Sequence, residues 1–164
     1  MKAKKHTLIL GIGNEILTDD GIGPKLVMQM QSELFNQDAE FSTAFVGGLD
    51  ILEIIRDYRQ VIFVDAMKTR TGIPGEVYFF TPENFRETMH LSSFHDVSFL
   101  TAIELGKELK LTIPDDIHII AIEIIEDLTF SKNFSPEIEE KFDDIYDSVR
   151  NKVLQLMNSS TNTL

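Results

Sequence analysis

At 164 residues the chain is long enough to bury about 70% of its unfolded surface in one domain, without staples. It has no cysteine, which excludes disulfides, thiolate metal sites and cysteine nucleophiles together, and its formal net charge of -12 disfavours nucleic acid and anionic membrane while favouring a basic peptide or a cation. No segment approaches the roughly 18 apolar residues of a membrane span, and the basic start at Met1 runs into an apolar stretch that breaks at Asn14 without a small-residue cleavage site, so a cytoplasmic protein is expected.

In chain order, Thr7-Leu8-Ile9-Leu10 is too apolar for an exposed strand and too short for a helix, and reads as a central parallel strand buried on both faces. Ile22, Leu26, Val27, Met30 and Leu34 recur at helical spacing, with Pro24 tolerated in the first turn. A second strand near Glu40 to Val46 leads through Gly47-Gly48 into an amphipathic helix of Leu49, Leu52 and Ile55. The buried strand Val61 to Val64 follows and ends on Asp65. From Asp65 to the next strand, Glu76 to Phe80, is only about ten residues, short for a parallel crossover, so that strand is expected at an antiparallel edge. A helix from Phe94 to Leu109, a strand Ile117 to Ile122 and a long helix after Ser135-Pro136 complete the domain. Ile138, Phe142, Ile145, Val149, Val153 and Leu156 line one face of the last helix. The sum is an α/β fold, a three-layer α/β/α sandwich on a mostly parallel twisted sheet of about five strands with an antiparallel edge strand. Residues 1–158 form the single domain and 159–164 a frayed tail. Nothing in the pattern demands more than a monomer.

The most informative segment is Gly11-Ile12-Gly13-Asn14-Glu15-Ile16-Leu17-Thr18-Asp19-Asp20-Gly21-Ile22-Gly23, a glycine-bearing turn with three acids after the first strand. It lies where open α/β sheets bind ligands. A dinucleotide fingerprint would need a third glycine where Ile16 stands, and Glu15, Asp19 and Asp20 would repel a phosphate. A cation or a proton transfer suits these carboxylates better. The competing structural reading makes Asp19 and Asp20 capping acids for the helix that opens at Ile22.

This segment resembles the opening block of the hydrogenase maturation proteases, G-[IV]-G-N-x-L-x-x-D-[DE]-G-x-G. Two further blocks follow in the family's order: an apolar strand ending in Asp-Ala, matched by Val61 to Ala66, and a Ser/Thr-x-His segment opening a helix, matched by Ser93-Phe94-His95-Asp96. The resemblance implies an endopeptidase that removes the C-terminal peptide of a nickel-iron hydrogenase large-subunit precursor after nickel insertion. The family's metal-contacting residues carry over to Asp20, Asp65 and His95, which the resemblance also implies as the catalytic set. The nickel is carried by the precursor, and zinc or another divalent ion could take its place in the isolated protein. A capping box of Ser93 and Asp96 would put His95 in the first helical turn, where the helix dipole keeps the ring neutral. Whether the metal activates water, or a carboxylate acts as base while the metal polarises the scissile carbonyl, stays open at this level. Precursor docking is expected at Gly47, Gly48 and Asn14. The run Val46-Gly47-Gly48-Leu49-Asp50 lacks the acid and threonine of the family's Asp-Gly-Gly-Thr, and Ile124 stands after Glu123 where a proline is common. A non-catalytic nickel-binding hydrogenase assembly factor and a nucleotide-binding α/β module are the alternatives.

Overall fold

A computed structural model describes residues 5–34, 39–45, 48–87 and 94–161; the side chains of residues 5, 86–87, 94–99 and 160–161 lie outside that description. Five strands, β1 (Lys5–Ile12), β2 (Ala39–Ala44), β3 (Tyr58–Met67), β4 (Val77–Phe80) and β5 (Asp116–Glu123), form one sheet in the order β2-β1-β3-β5-β4. The first three pairings are parallel and β4 runs antiparallel to β5 at the edge, as the short connection after Asp65 requires. Helices are α1 (Ile22–Glu33), α2 (Asp50–Ile55), α3 (Pro82–Glu87), α4 (Phe94–Glu108) and α5 (Pro136–Thr161).

Side-chain alternation splits the sheet into two apolar faces. Leu8, Leu10, Val61, Phe63 and Ile119 pack with Ile51, Ile55, Leu100 and Ile103 from α2 and α4. Ile9, Ile62, Val64, Ile120 and Ile122 pack on the other face with Leu26 and Met30 of α1 and with Ile145, Val149 and Val153 of α5. The apolar run in β3 is therefore buried on both faces, and the sandwich has three layers.

Several boundaries differ from the sequence expectation. The third strand does not stop at Asp65: Ala66 and Met67 continue the ladder opposite Ile122 and Glu123, so Asp65 lies within the strand. Leu49 precedes α2 and is exposed rather than part of its apolar face. Short α3 had no periodic signal, because Phe85 is its one large apolar residue. Helix α5 runs through the first residues of the expected 159–164 tail, to Thr161, and 162–164 lie outside the described residues. Among the described residues no helix is long and apolar enough to cross a membrane.

Candidate functional site

From β1 the chain crosses to β2 on one side and returns to β3 on the other, so the order reverses between β1 and β3. The crevice at the C-terminal ends of two such strands is where doubly wound sheets place their ligands. The loop from Gly13 to Gly21 stands at that crevice. Gly23 explains how it gets so close: a Cβ on it would collide with the carbonyls of Val64 and Ile12, so only glycine lets the start of α1 press onto both strand ends.

Within the loop the two adjacent acids part ways. Asp19 is fully buried: its Oδ2 accepts from the Ile125 and Glu126 N–H groups (3.3 and 3.0 Å) and from Ser135 Oγ (2.8 Å), and its Oδ1 from Ser135 N–H (2.7 Å). It clamps this loop to the segment after β5 and to the entrance of α5. Asp20 is half-buried and accepts the Asn14 N–H at 2.7 Å, which closes the loop on itself. Neither acid caps α1, whose N-cap is Gly21 with no side-chain hydrogen bond, so the capping reading is set aside. Thr18, immediately before them, has φ 48, a left-handed conformation that costs a non-glycine residue about 1 kcal/mol or more. It is held there by Thr18 N–H to the Ser131 carbonyl (3.0 Å) and Thr18 Oγ1 to the Thr129 carbonyl (2.6 Å).

Asp65 is 4% exposed, and its Oδ1 accepts the Ala66 N–H at 2.8 Å. Alternation puts it on the face of Phe63 and Met67, the face that α2 and α4 cover. Helix α4 delivers the chain to the start of β5 and so runs opposite to it. Its fifteen residues rise roughly 22 Å, enough to set its first turn, with His95, toward the rim where β5 ends. Asp65 and the Asp20 loop therefore lie at the end of the sheet where β1 and β3 finish, and the length of α4 lets its first turn reach toward the same end. The His95 side chain, Ser93 and the expected capping box lie outside the described side chains; among the described residues no three His, Asp or Glu side chains gather at metal-binding spacing. Two carboxylates and an imidazole nonetheless suit nickel or zinc by donor chemistry.

The three residues expected at a docking surface differ from one another. Gly47 lies outside the described residues. Gly48 has φ 66 and open space where a Cβ would stand, so another backbone can approach it. Asn14 is engaged in the loop itself, its Oδ1 accepting the Ile16 N–H at 3.2 Å. A phosphate cradle is not available here: the N–H groups of Asn14, Ile16, Leu17, Thr18, Asp19 and Asp20 all donate within the protein.

Sequence reasoning passed over Glu123. It is 1% exposed at the end of β5, and its Oε1 accepts from Thr69 N–H (2.6 Å) and Thr69 Oγ1 (3.1 Å), pinning the loop after β3. Gly72 rests against its carboxyl group, where any Cβ would clash. A carboxylate closing a run of isoleucines was the available signal, the same one that singled out Asp65.

Comparison with known proteins agrees with this architecture. The family described as hydrogenase maturation protease (HycI) matches residues 24–152, well over half of the chain. No curated protein sequence matches. Among solved structures, the chain is similar to the hydrogenase maturating endopeptidase HybD from E. coli, with 20% identity, a TM-score of 0.68, and 88% of this chain and 89% of that chain covered. It is similar to the [NiFe] hydrogenase maturation protease HybD from Thermococcus kodakarensis at 22% identity and TM-score 0.64, over 89% and 97% of the two chains. The maturation protease HycI from Thermococcus kodakarensis KOD1 gives 20% identity and TM-score 0.66 over 92% and 93%. At these identities the structural likeness shows the fold.

Proposed function

Because the chain belongs to the hydrogenase maturation protease family and is a peptide hydrolase of that kind, we propose that it removes the C-terminal peptide of a nickel-iron hydrogenase large-subunit precursor once nickel is inserted, acting in the cytoplasm as a monomer. The observation that supports this reading is the β1–β3 switch point, where the Asp20 loop and Asp65 lie at the same strand ends and toward which the length of α4 carries its first turn. Asp20, Asp65 and His95 are the residues that would contact the precursor's nickel, which enters as part of the substrate; zinc or another divalent ion fits the same donors in the isolated protein. In this reading the Asp65 carboxylate, buried within β3, takes the proton of the attacking water and half-buried Asp20 meets the incoming precursor. Gly48 gives the substrate backbone room at the neighbouring strand end.

The test is incubation with nickel-loaded and nickel-free precursors, read by intact mass. Loss of one C-terminal peptide from the loaded form alone is expected, and equal cleavage of both forms would remove nickel recognition from the proposal. Asp20→Asn, Asp65→Asn and His95→Ala should each abolish processing, with far-UV circular dichroism unchanged. An active His95→Ala would take that residue off the site.

A further inference from the structure

Beside the Asp20 loop runs a segment whose polar and apolar parts pull in opposite directions. From Ile125 to Ser131 the backbone is held at many points. Ile125 and Glu126 N–H donate to Asp19, Leu128 and Thr129 N–H donate to Glu126 Oε1 (2.7 and 3.0 Å), and Ser131 N–H donates to the Ile16 carbonyl (3.0 Å). Ser131 also bridges to Leu17 as an isolated parallel pair. Yet this fixed backbone turns Leu128 and Phe130 out into water at 80% and 78% exposure, and Ile16 beside them is also exposed. A mobile loop can hide apolar side chains by collapsing; this one is tied open, so its surface is pre-organised for a partner.

Charge and position identify the partner. Exposed Glu15, half-buried Glu126 and Asp127 border the apolar strip; of the nearby lysines, Lys68 is paired with Asp127 (2.8 Å), Lys25 lies over the Phe134 ring, and Lys132 is exposed past Ser131, so acids still predominate along the strip. A second copy of the chain would bring the same acids, and a net charge of -12, against themselves. The strip is continuous with the loop carrying Asp20, through the Ile16, Leu17 and Thr18 contacts to residues 129–131. We infer that the Ile16, Leu128 and Phe130 strip is a docking surface for a segment of the precursor in which apolar side chains are flanked by lysine or arginine. This rests on the precursor being the substrate.

The test compares wild-type protein with the double variant Leu128→Ser/Phe130→Ser on a nickel-loaded large-subunit precursor. Leu109→Ser, also exposed and just past the C-terminal end of α4, serves as control. The double variant should raise KM about tenfold or more with kcat within about twofold, and should unfold within about 2 °C of wild type because both side chains are already in water. Leu109→Ser should leave KM unchanged, and added salt should raise the wild-type KM. An unchanged KM in the double variant would overturn the inference, as would a wild-type dimer that the double variant dissociates. If the wild type cleaves no precursor, the proposed activity fails by itself. Docking is then read by equilibrium binding of the same precursor, with binding lost only in the double variant supporting the surface and binding equal in both, or absent from both, rejecting it.

Discussion

Replacing Asp19 by asparagine isolates the structural half of the Asp19-Asp20 pair. In the native loop four hydrogen bonds end on a fully buried carboxylate: three on Oδ2, from Ile125, Glu126 and the Ser135 hydroxyl, and one on Oδ1, from the Ser135 N–H. In the best orientation the asparagine oxygen takes the Oδ2 place and keeps three bonds, each now to a neutral acceptor. Its NH2 then faces the Ser135 N–H, donor against donor. Losing one charge-assisted bond costs about 1.5–3 kcal/mol, and weakening three more adds several tenths each, so about 3–5 kcal/mol in all. For a domain of this size each kcal/mol moves Tm by about 2–4 °C, so Asp19→Asn should melt at least roughly 6 °C lower. The comparison is Asp20→Asn, at a half-buried carboxylate that accepts the Asn14 N–H; the asparagine oxygen can keep that bond, and about 1 kcal/mol is expected. The assay is urea unfolding followed by circular dichroism, run in parallel on both variants. Equal midpoints for Asp19→Asn and Asp20→Asn would refute the assignment of Asp19 to the clamp.

Gly23→Ala should destabilise by more than about 3 kcal/mol, because its Cβ meets two strand carbonyls that cannot yield, whereas Gly48→Ala has open space and costs only about 1 kcal/mol for its positive φ; urea midpoints that do not separate would count against the close approach of α1. The Glu126 carboxyl is held below its ordinary value of 4.5 by the Leu128 and Thr129 N–H groups it accepts, so its support of the loop is present above that value and lost as pH falls through the lowered one. Hydrogen-exchange protection of those two amides should fall in that acid window, and Glu126→Gln should remove the pH dependence; protection unaffected by acid would exclude the contact. Tyr78 is pushed up to about 12, chiefly by its hydrogen bond to Glu76, so at pH 10 it should be about 1% ionised, and Glu76→Gln should bring its absorbance transition at 295 nm down toward 10. A Tyr78 transition already near 10 in the wild type would contradict that hydrogen bond.

The strands were legible because burial on both faces needs continuous apolar runs, and Val61 to Val64 offers no other environment in which to sit. Where β3 ends was not, since Ala66 and Met67 extend it only through pairing with Ile122 and Glu123, a property of the neighbour rather than of the segment. Asp65 was found by its cost: a carboxylate after four buried apolar residues asks for a reason. Composition and spacing did not separate Asp19 from Asp20, and only the family resemblance chose Asp20, because what separates them physically is Ser135, 116 residues away in the chain. Leu128 and Phe130 illustrate the opposite limit. Apolar residues in a sequence argue for burial, and only the hydrogen bonds that hold 125–131 away from the core show that these two stay outside.

The clamp and the docking strip share one backbone, and this constrains how the site can work. Thr18 is kept in its strained conformation by Thr129 and Ser131, Asp19 is bound to Ile125 and Glu126, and Asp20 follows directly on both. Any displacement of Leu128 and Phe130 by a bound segment must therefore be resisted by the bonds that position Asp20. A loosely hung loop would let docking energy dissipate in its own rearrangement. Here Asp19, fully buried and bonded through both oxygens, keeps the strip and the half-buried acid at fixed separation. If the precursor docks there as proposed, it would meet Asp20 and Asp65 in an arrangement that exists before it arrives, which is the condition for binding remote from the reacting bond to count toward the transition state.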